Sequence, residues 1–235
     1  MDAKQHLESL RSSLNEIFDQ SLINRGNIGS SHYYSSCIYD FAQNIASDDE
    51  RKILETVAAQ IESAALISAF GLYRQAFASL RLALEMGLGA VYFSIHRLEL
   101  NEWQDGKADI KWSQLIDDER GVLSKRFADA FFKGLADESR LQKEAASRVY
   151  RKLSEFVHGN YETWRPEGLT LSYQQELDSE YELLCKAVFD IIMFSLCCRY
   201  LKSMNAEELD TMSFIEVELG HIAPIREALG GPKDL

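Results

Sequence analysis

Within the stretch Ser139 to His158, SRLQKEAASRVYRKLSEFVH, Arg151 and His158 are seven residues apart. On a helix that spacing is two turns, about 10 Å along the axis and only about 20° in direction. A guanidinium grips phosphate and an imidazole titrates near neutrality. Cleavage of RNA without a metal needs both: one stabilises charge developing on the phosphorane, and the other moves the proton of the attacking 2′-hydroxyl or of the leaving oxygen. The helical wheel supports a shared face. Leu141, Ala145, Val149, Leu153, Phe156 and Val157 gather into one apolar stripe centred ~80° from Leu141, while Arg140, Ser147, Arg151, Ser154 and His158 form a polar ridge on the opposite side. His158 is the last periodic residue, and Gly159 with Asn160 reads as its left-handed C-cap. There the macrodipole favours an imidazolium by ~0.3–1 kcal/mol. Asn160 and Tyr161 can add hydrogen bonds to substrate, and Trp164 can stack on a base. Arg151 and His158 are therefore the candidate catalytic pair, with Arg140, Ser147, Ser154, Asn160 and Tyr161 as candidate substrate-binding residues.

Other chemistries lack their signatures. No glycine loop that cradles phosphate follows a strand, and Gly87 and Gly89 sit in a helical pattern. HExxH, CxxC and a Gly-x-Ser-x-Gly elbow are absent from the sequence. No metal ligands and no cofactor are expected. Cys37, Cys185, Cys197 and Cys198 have no regular spacing, which fits reduced core thiols and a cytoplasmic setting rather than a disulfide framework or a zinc site. The start, MDAKQHLESL, has no apolar signal core. Neither apolar stretch reads as a membrane span: Ala187 to Leu201 is interrupted by Asp190 and Arg199, and Ala64 to Ile95 by Arg74, Arg81 and Glu85.

The elements that must position the pair read as helices throughout. All three prolines lie at or after Pro166, and a long proline-free stretch argues against many tight β-turns. Residues 2–20 show an amphipathic pattern, a second helix is expected over about 31–45, and Ser47 followed by Asp48, Asp49 and Glu50 resembles a capping-box start. From Arg51 the pattern runs to Ile95 as two helices broken near Gly71. Residues 101–118 read as an ordered polar insertion carrying Trp103 and Trp112, followed by a helix over about 119–134. Pro166 and Gly168 mark a turn, 169–173 a short extended piece, about 174–203 a long helix, and Asn205 opens a terminal one. The expectation is an all-α chain of six to eight helices: an N-terminal helical extension over 1–46, a single helical bundle over 47–203, and an acidic helical tail over 204–235.

Charge is unevenly spread. The net charge is −12, yet residues 101–165 balance 12 basic against 12 acidic side chains, and 166–235 carry 5 against 13. Within 139–165 six basic residues face three acidic ones, so phosphate is expected here if anywhere.

Arginine, six residues, then histidine, near the end of a helix in an all-α chain, resembles the R-x4-6-H signature of the HEPN superfamily. Gly71 to Glu85, GLYRQAFASLRLALE, together with the later Ser154 to Gly159, is also similar to uncharacterised bacterial families that pair such segments. The resemblance covers about residues 50–200. It implies a HEPN-like bundle and a metal-independent endoribonuclease of stress or phage defence. It further implies that the active site forms at a two-fold homodimer interface, each subunit giving one Arg and one His, with RNA as partner and no membrane. Lys152 departs from the pattern, since active members often carry a polar uncharged or acidic residue directly after the arginine. The acidic balance supports an alternative: a catalytically silent helical subunit that binds a protein partner as a regulator or sensor in a defence complex. Arg81 and Glu85, one turn apart, read as an ion pair inside the bundle.

Overall fold

The structure, a computed structural model, describes residues 2–24, 28–158 and 171–233. They form α1 (Ala3–Asn24), α2 (Ile28–Gln43), α3 (Asp48–Ala69), α4 (Tyr73–Phe93), α5 (Arg97–Gln104), α6 (Trp112–Leu115), α7 (Lys125–Phe131), α8 (Ala136–Val157), α9 (Gln175–Tyr200), α10 (Ala206–Asp210), α11 (Phe214–Leu219) and α12 (Ala223–Ala228), with no strand among the described residues. The fold is all-α. Among the described residues the helix count exceeds the expected six to eight because the connection after α4 coils into the short α5, α6 and α7, and because the single terminal helix expected after Asn205 is three short ones, α10, α11 and α12. The cap at Gly159 and Asn160, the candidate residues Asn160 and Tyr161, Trp164, the Pro166 and Gly168 turn and residues 169–170 lie outside the described residues. Residues 171–174, the rest of the expected extended piece and its approach to α9, have no regular structure.

Helix α4 is the central element, packed against α3, α8 and α9. Phe77, Leu80, Leu84 and Leu88 are fully buried along it, and α9 contributes Val188, Phe189, Ile192 and Leu196 to the same core. Close approach is built from glycine: a Cβ at Gly87 would stand 2.7 Å from Ile192, and one at Gly89 3.0 Å from Ile110. By length and composition α4 alone among the described residues passes as a membrane span, with mean hydropathy 1.3 over a window that includes Arg81 and Glu85; 67% of that window is buried inside the bundle. The break between α3 and α4 falls where the periodicity places it. Gly71 adopts φ 74, its N–H donates to the Ser68 carbonyl at 2.8 Å, and Leu72 N–H donates to Ile67 at 3.2 Å. This is a Schellman ending, for which a residue without Cβ is favoured.

Three expectations need correction. Ser47 makes no side-chain cap to α3. The reciprocal partner of a capping box would be Glu50, but that carboxylate is buried and accepts a hydrogen bond from the Tyr200 hydroxyl. The capping box of this chain lies instead at Asn205 and Glu208, opening α10. The helix expected over 119–134 is replaced by turns that lead into the short α7. Asp117 Oδ1 accepts the N–H groups of Glu119 and Arg120 at 2.9 and 2.8 Å, folding the chain back on itself, and Ser124 then caps α7 by accepting from Phe127 N–H at 3.1 Å. Finally, the buried face of α8 is not the expected stripe. Leu141 and Val157 are 48% and 42% exposed, and Ser139, Ala146, Val149, Leu153 and Phe156 are the buried residues. The inward face is turned by about 30° from the expected centre.

Candidate functional site

The turned face of α8 decides which polar side chains meet the rest of the bundle. Arg151 and His158 are both exposed on the same side of the helix, as their spacing predicts. Arg151 makes no ion pair or hydrogen bond among the described residues. His158 is the C-cap residue, its N–H donating to the Ser154 carbonyl at 3.0 Å. The Ser154 hydroxyl donates to the Tyr150 carbonyl at 2.6 Å and Ser147 is half-buried.

Arg140 belongs elsewhere. Eighteen residues separate it from His158, which at ~1.5 Å per residue is about 27 Å of helix. Its Nη1 donates to Glu144 at 2.9 Å, and with Lys125, Lys143, Asp118 and Asp137 it lines a separate cleft of about 370 Å³. Of the expected residues, Arg151 and His158 share the exposed face toward the C-terminal end of α8 with the half-buried Ser154 between them in sequence, and Arg140 lies at the other end of the helix.

The partner of His158 comes from α4. Arg81 Nη1 donates to His158 Nε2 at 2.9 Å, while Nη2 donates to Tyr150 Oη at 2.6 Å and to Glu85 Oε1 at 3.3 Å. The Arg81 and Glu85 side chains are only 15% and 22% exposed. The guanidinium carbon also lies 4.6 Å from the centre of the Tyr150 ring, whose plane is stacked on Trp112 of α6 at 3.9 Å and 4°. Burial, followed by the Glu85 carboxylate, pushes the Tyr150 phenol above its ordinary pKa, so it stays protonated at neutral pH. Beneath this cluster Phe77 stacks on Phe156 at 4.0 Å and fixes the α4–α8 seam. The Arg81 Nε is buried and has no hydrogen-bond partner among the described residues.

An arginine can only donate, so the Arg81 contact places a lone pair on Nε2 and leaves the imidazole neutral with its proton on Nδ1. In this arrangement the Nε2 lone pair of His158 is covered by Arg81.

Sequence reasoning missed Tyr150 and Trp112 as parts of the site. Tyr150 sits at the wheel boundary between stripe and ridge, and Trp112 reaches it from the segment read as an insertion. The Arg81 and Glu85 pair was legible at its i, i+4 spacing, but its reach to His158 spans 77 residues and carries no local signal.

The surrounding cations of α8 are largely matched by carboxylates. Lys143 pairs with Asp118, and Lys152 lies 2.9 Å from Glu180 and 3.6 Å from Glu155. Hydrogen bonding to Glu180 outweighs burial and raises the Lys152 pKa. Arg148 and Arg151 are the exposed cations of this stretch without an ion pair among the described residues. All four cysteines are free and buried, and burial pushes the Cys198 thiol up to about 12, as expected of inert core residues. Among the described residues no three His, Cys, Asp or Glu side chains converge in a group able to hold a metal ion. No protein-family model matches the chain, and neither a curated protein nor a solved structure does.

Proposed function

We propose that the protein is a metal-independent, HEPN-like endoribonuclease that acts in stress or phage defence as a cytoplasmic homodimer. The observation that carries this reading is the exposed imidazole of His158 at the end of α8, with Arg81 in contact at 2.9 Å and Arg151 presented on the same face. One group can take a proton and two guanidiniums can meet the phosphate. Since each chain supplies one His158, a two-fold dimer that faces two such ridges would double the acid–base groups at one scissile bond.

Purified protein incubated with RNA in EDTA provides the test. Cleavage is expected to persist in the chelator, to stop when the nucleotide 5′ to the cut lacks its 2′-hydroxyl, and to be abolished by His158→Ala without loss of fold, since truncation of an exposed side chain opens no cavity. Arg151→Ala should lower it strongly and Arg151→Lys restore little, because a point charge does not reproduce a planar bidentate grip. Intact RNA after prolonged incubation with a dimeric, folded protein rejects the reading.

A second reading, a silent helical subunit that binds a protein partner, is favoured by a different observation. Carboxylates match Arg140, Lys143 and Lys152 and leave little net positive field along α8. In that case His158→Ala and Arg151→Ala behave as wild type in cells, and the purified protein does not bind RNA at physiological salt.

A further inference from the structure

We propose that Arg81 is the positioning residue of the site: clamped between Glu85 and Tyr150, its guanidinium covers Nε2 of His158, fixes the imidazole as the Nδ1–H tautomer, and uncovers Nε2 when a phosphodiester arrives. The role deepens the ribonuclease reading and rests on it, but the contact on which it stands is independent of any RNA.

The geometry supplies each part. Four connections restrain the Arg81 side chain: Glu85 at 3.3 Å, the Tyr150 hydroxyl at 2.6 Å, the Tyr150 ring beneath the guanidinium carbon, and His158. Tyr150 is held in turn by its nearly parallel stack on Trp112. A guanidinium so restrained meets the imidazole with a fixed N–H, and a free neutral imidazole prefers the opposite tautomer, with the proton on Nε2. The contact therefore has a specific tautomer signature, and its release when a phosphodiester binds is what a merely structural arginine would not produce.

The remaining Arg81 valence suits an anion. Among the described residues the side chain has one carboxylate, one phenol and one neutral ring as partners, while its Nε has none. A phosphodiester oxygen is a stronger acceptor than a neutral imidazole. When it takes the Arg81 Nη1–H, Nε2 becomes free to accept the proton of the 2′-hydroxyl. The 2′-oxygen then bonds to phosphorus as the bond from phosphorus to the 5′-oxygen breaks, giving a cyclic phosphate, and the departing oxygen takes a proton from an imidazolium or from water. A base that is covered until the phosphate is seated is protected from idle protonation, and its release is tied to substrate.

Nitrogen NMR of the intact protein, labelled on histidine and held at ~pH 8.5 so that an imidazole with the usual ~6.5 midpoint is neutral, reads the tautomer directly. Wild-type His158 is expected to show Nδ1–H, and Arg81→Gln to move it toward Nε2–H with the other histidines unchanged. Addition of an all-deoxy oligonucleotide, which binds without being cut, should shift the wild-type Nε2 resonance. A wild-type His158 in the Nε2–H form overturns the proposal with no variant needed; so does a folded Arg81→Gln protein that keeps Nδ1–H, or a bound oligonucleotide that leaves Nε2 unmoved. If Arg81→Gln fails to fold, Arg81→Lys replaces it, read against the same expectation of a weakened Nδ1–H signal. The two failures stay apart. An Nδ1–H imidazole in a protein that never cuts RNA rejects the ribonuclease reading, whereas cleavage by a protein whose His158 is Nε2–H rejects the role of Arg81.

Discussion

Arg81, between α4 and α8, and Lys186, between α9 and α11, are both interhelical cations over aromatic rings, but they keep different company. Lys186 Nζ lies 2.5 Å from Asp190 and 3.3 Å from Glu218, close to the faces of Tyr34 and Phe189. Burial opposes its charge, yet the hydrogen bond and attraction of Asp190, then those of Glu218, outweigh this and hold the ammonium above its ordinary pKa. Asp190 is itself held above the usual carboxylate range, chiefly by burial and also by Glu218, in spite of Lys186. Two carboxylates compete for one cation, and nothing is left for a ligand. Arg81 has a single carboxylate and a neutral imidazole as an exchangeable acceptor. The contrast separates a cation enclosed by two carboxylates, which holds helices together, from one that shares its donors between a single carboxylate and an imidazole, which can change partners.

The largest effect should come from beneath the Arg81 cluster. Phe77→Ala removes a fully buried ring that stacks on Phe156, and should cost ~3–5 kcal/mol in urea denaturation. A loss below ~1 kcal/mol would mean that the α4–α8 seam does not depend on this pair. Next comes Lys186→Ala, which leaves Asp190 and Glu218 facing each other. These groups are only partly buried, so about 1–2 kcal/mol is expected by the same measurement, below the ~3–5 of a fully buried broken pair. Arg81→Gln should cost less, about 0.5–1 kcal/mol, because the Tyr150 hydroxyl can turn to Glu85; its main effect belongs to His158. Equal stability losses for the two cations would erase the distinction drawn between them.

The smallest effect is a pH dependence. Because the folded state raises the Asp190 pKa, that state binds a proton more readily than the unfolded chain does. Stability from this group is present in acid and is lost as pH rises from the ordinary carboxylate value through the raised one. Asp190→Asn cannot titrate, so its stability relative to wild type should increase across that window, by a few tenths of a kcal/mol. Denaturation midpoints of both proteins from ~pH 3.5 to ~pH 6 measure it; a difference that shrinks with rising pH has the wrong sign.

Much of this was readable along the chain. The all-α class, the break at Gly71 and the shared exposed face of Arg151 and His158 follow from local rules. What was lost has physical reasons. The inward face of α8 includes the polar Ser139, which buries without a hydrophobic signal, and takes Ala146 rather than Leu141 and Val157, so the apolar stripe pointed about 30° away from the true core. The turns at 117–124 were legible in principle, because an aspartate that accepts two following N–H groups is an Asx turn and Ser124 is a good N-cap. The Arg81–His158 contact was not, since it is created by packing two helices whose sequences are far apart.

The notch at Gly87 has a mechanical consequence. Ile192 lies 2.7 Å from where a Cβ would stand, and one helical turn away on either side of the notch are Leu84 and Val91, both fully buried. A one-turn slide of ~5.4 Å, the step by which packed helices ratchet between states, would drive Leu84 or Val91, according to direction, into the isoleucine. Helix α4 is thus a fixed post rather than a piston. Arg81, about 9 Å further back along the same helix, inherits a fixed address from it. A signal that alters the geometry at His158 has to act by rotating side chains or by moving the end of α8, never by translating the helix that carries the arginine.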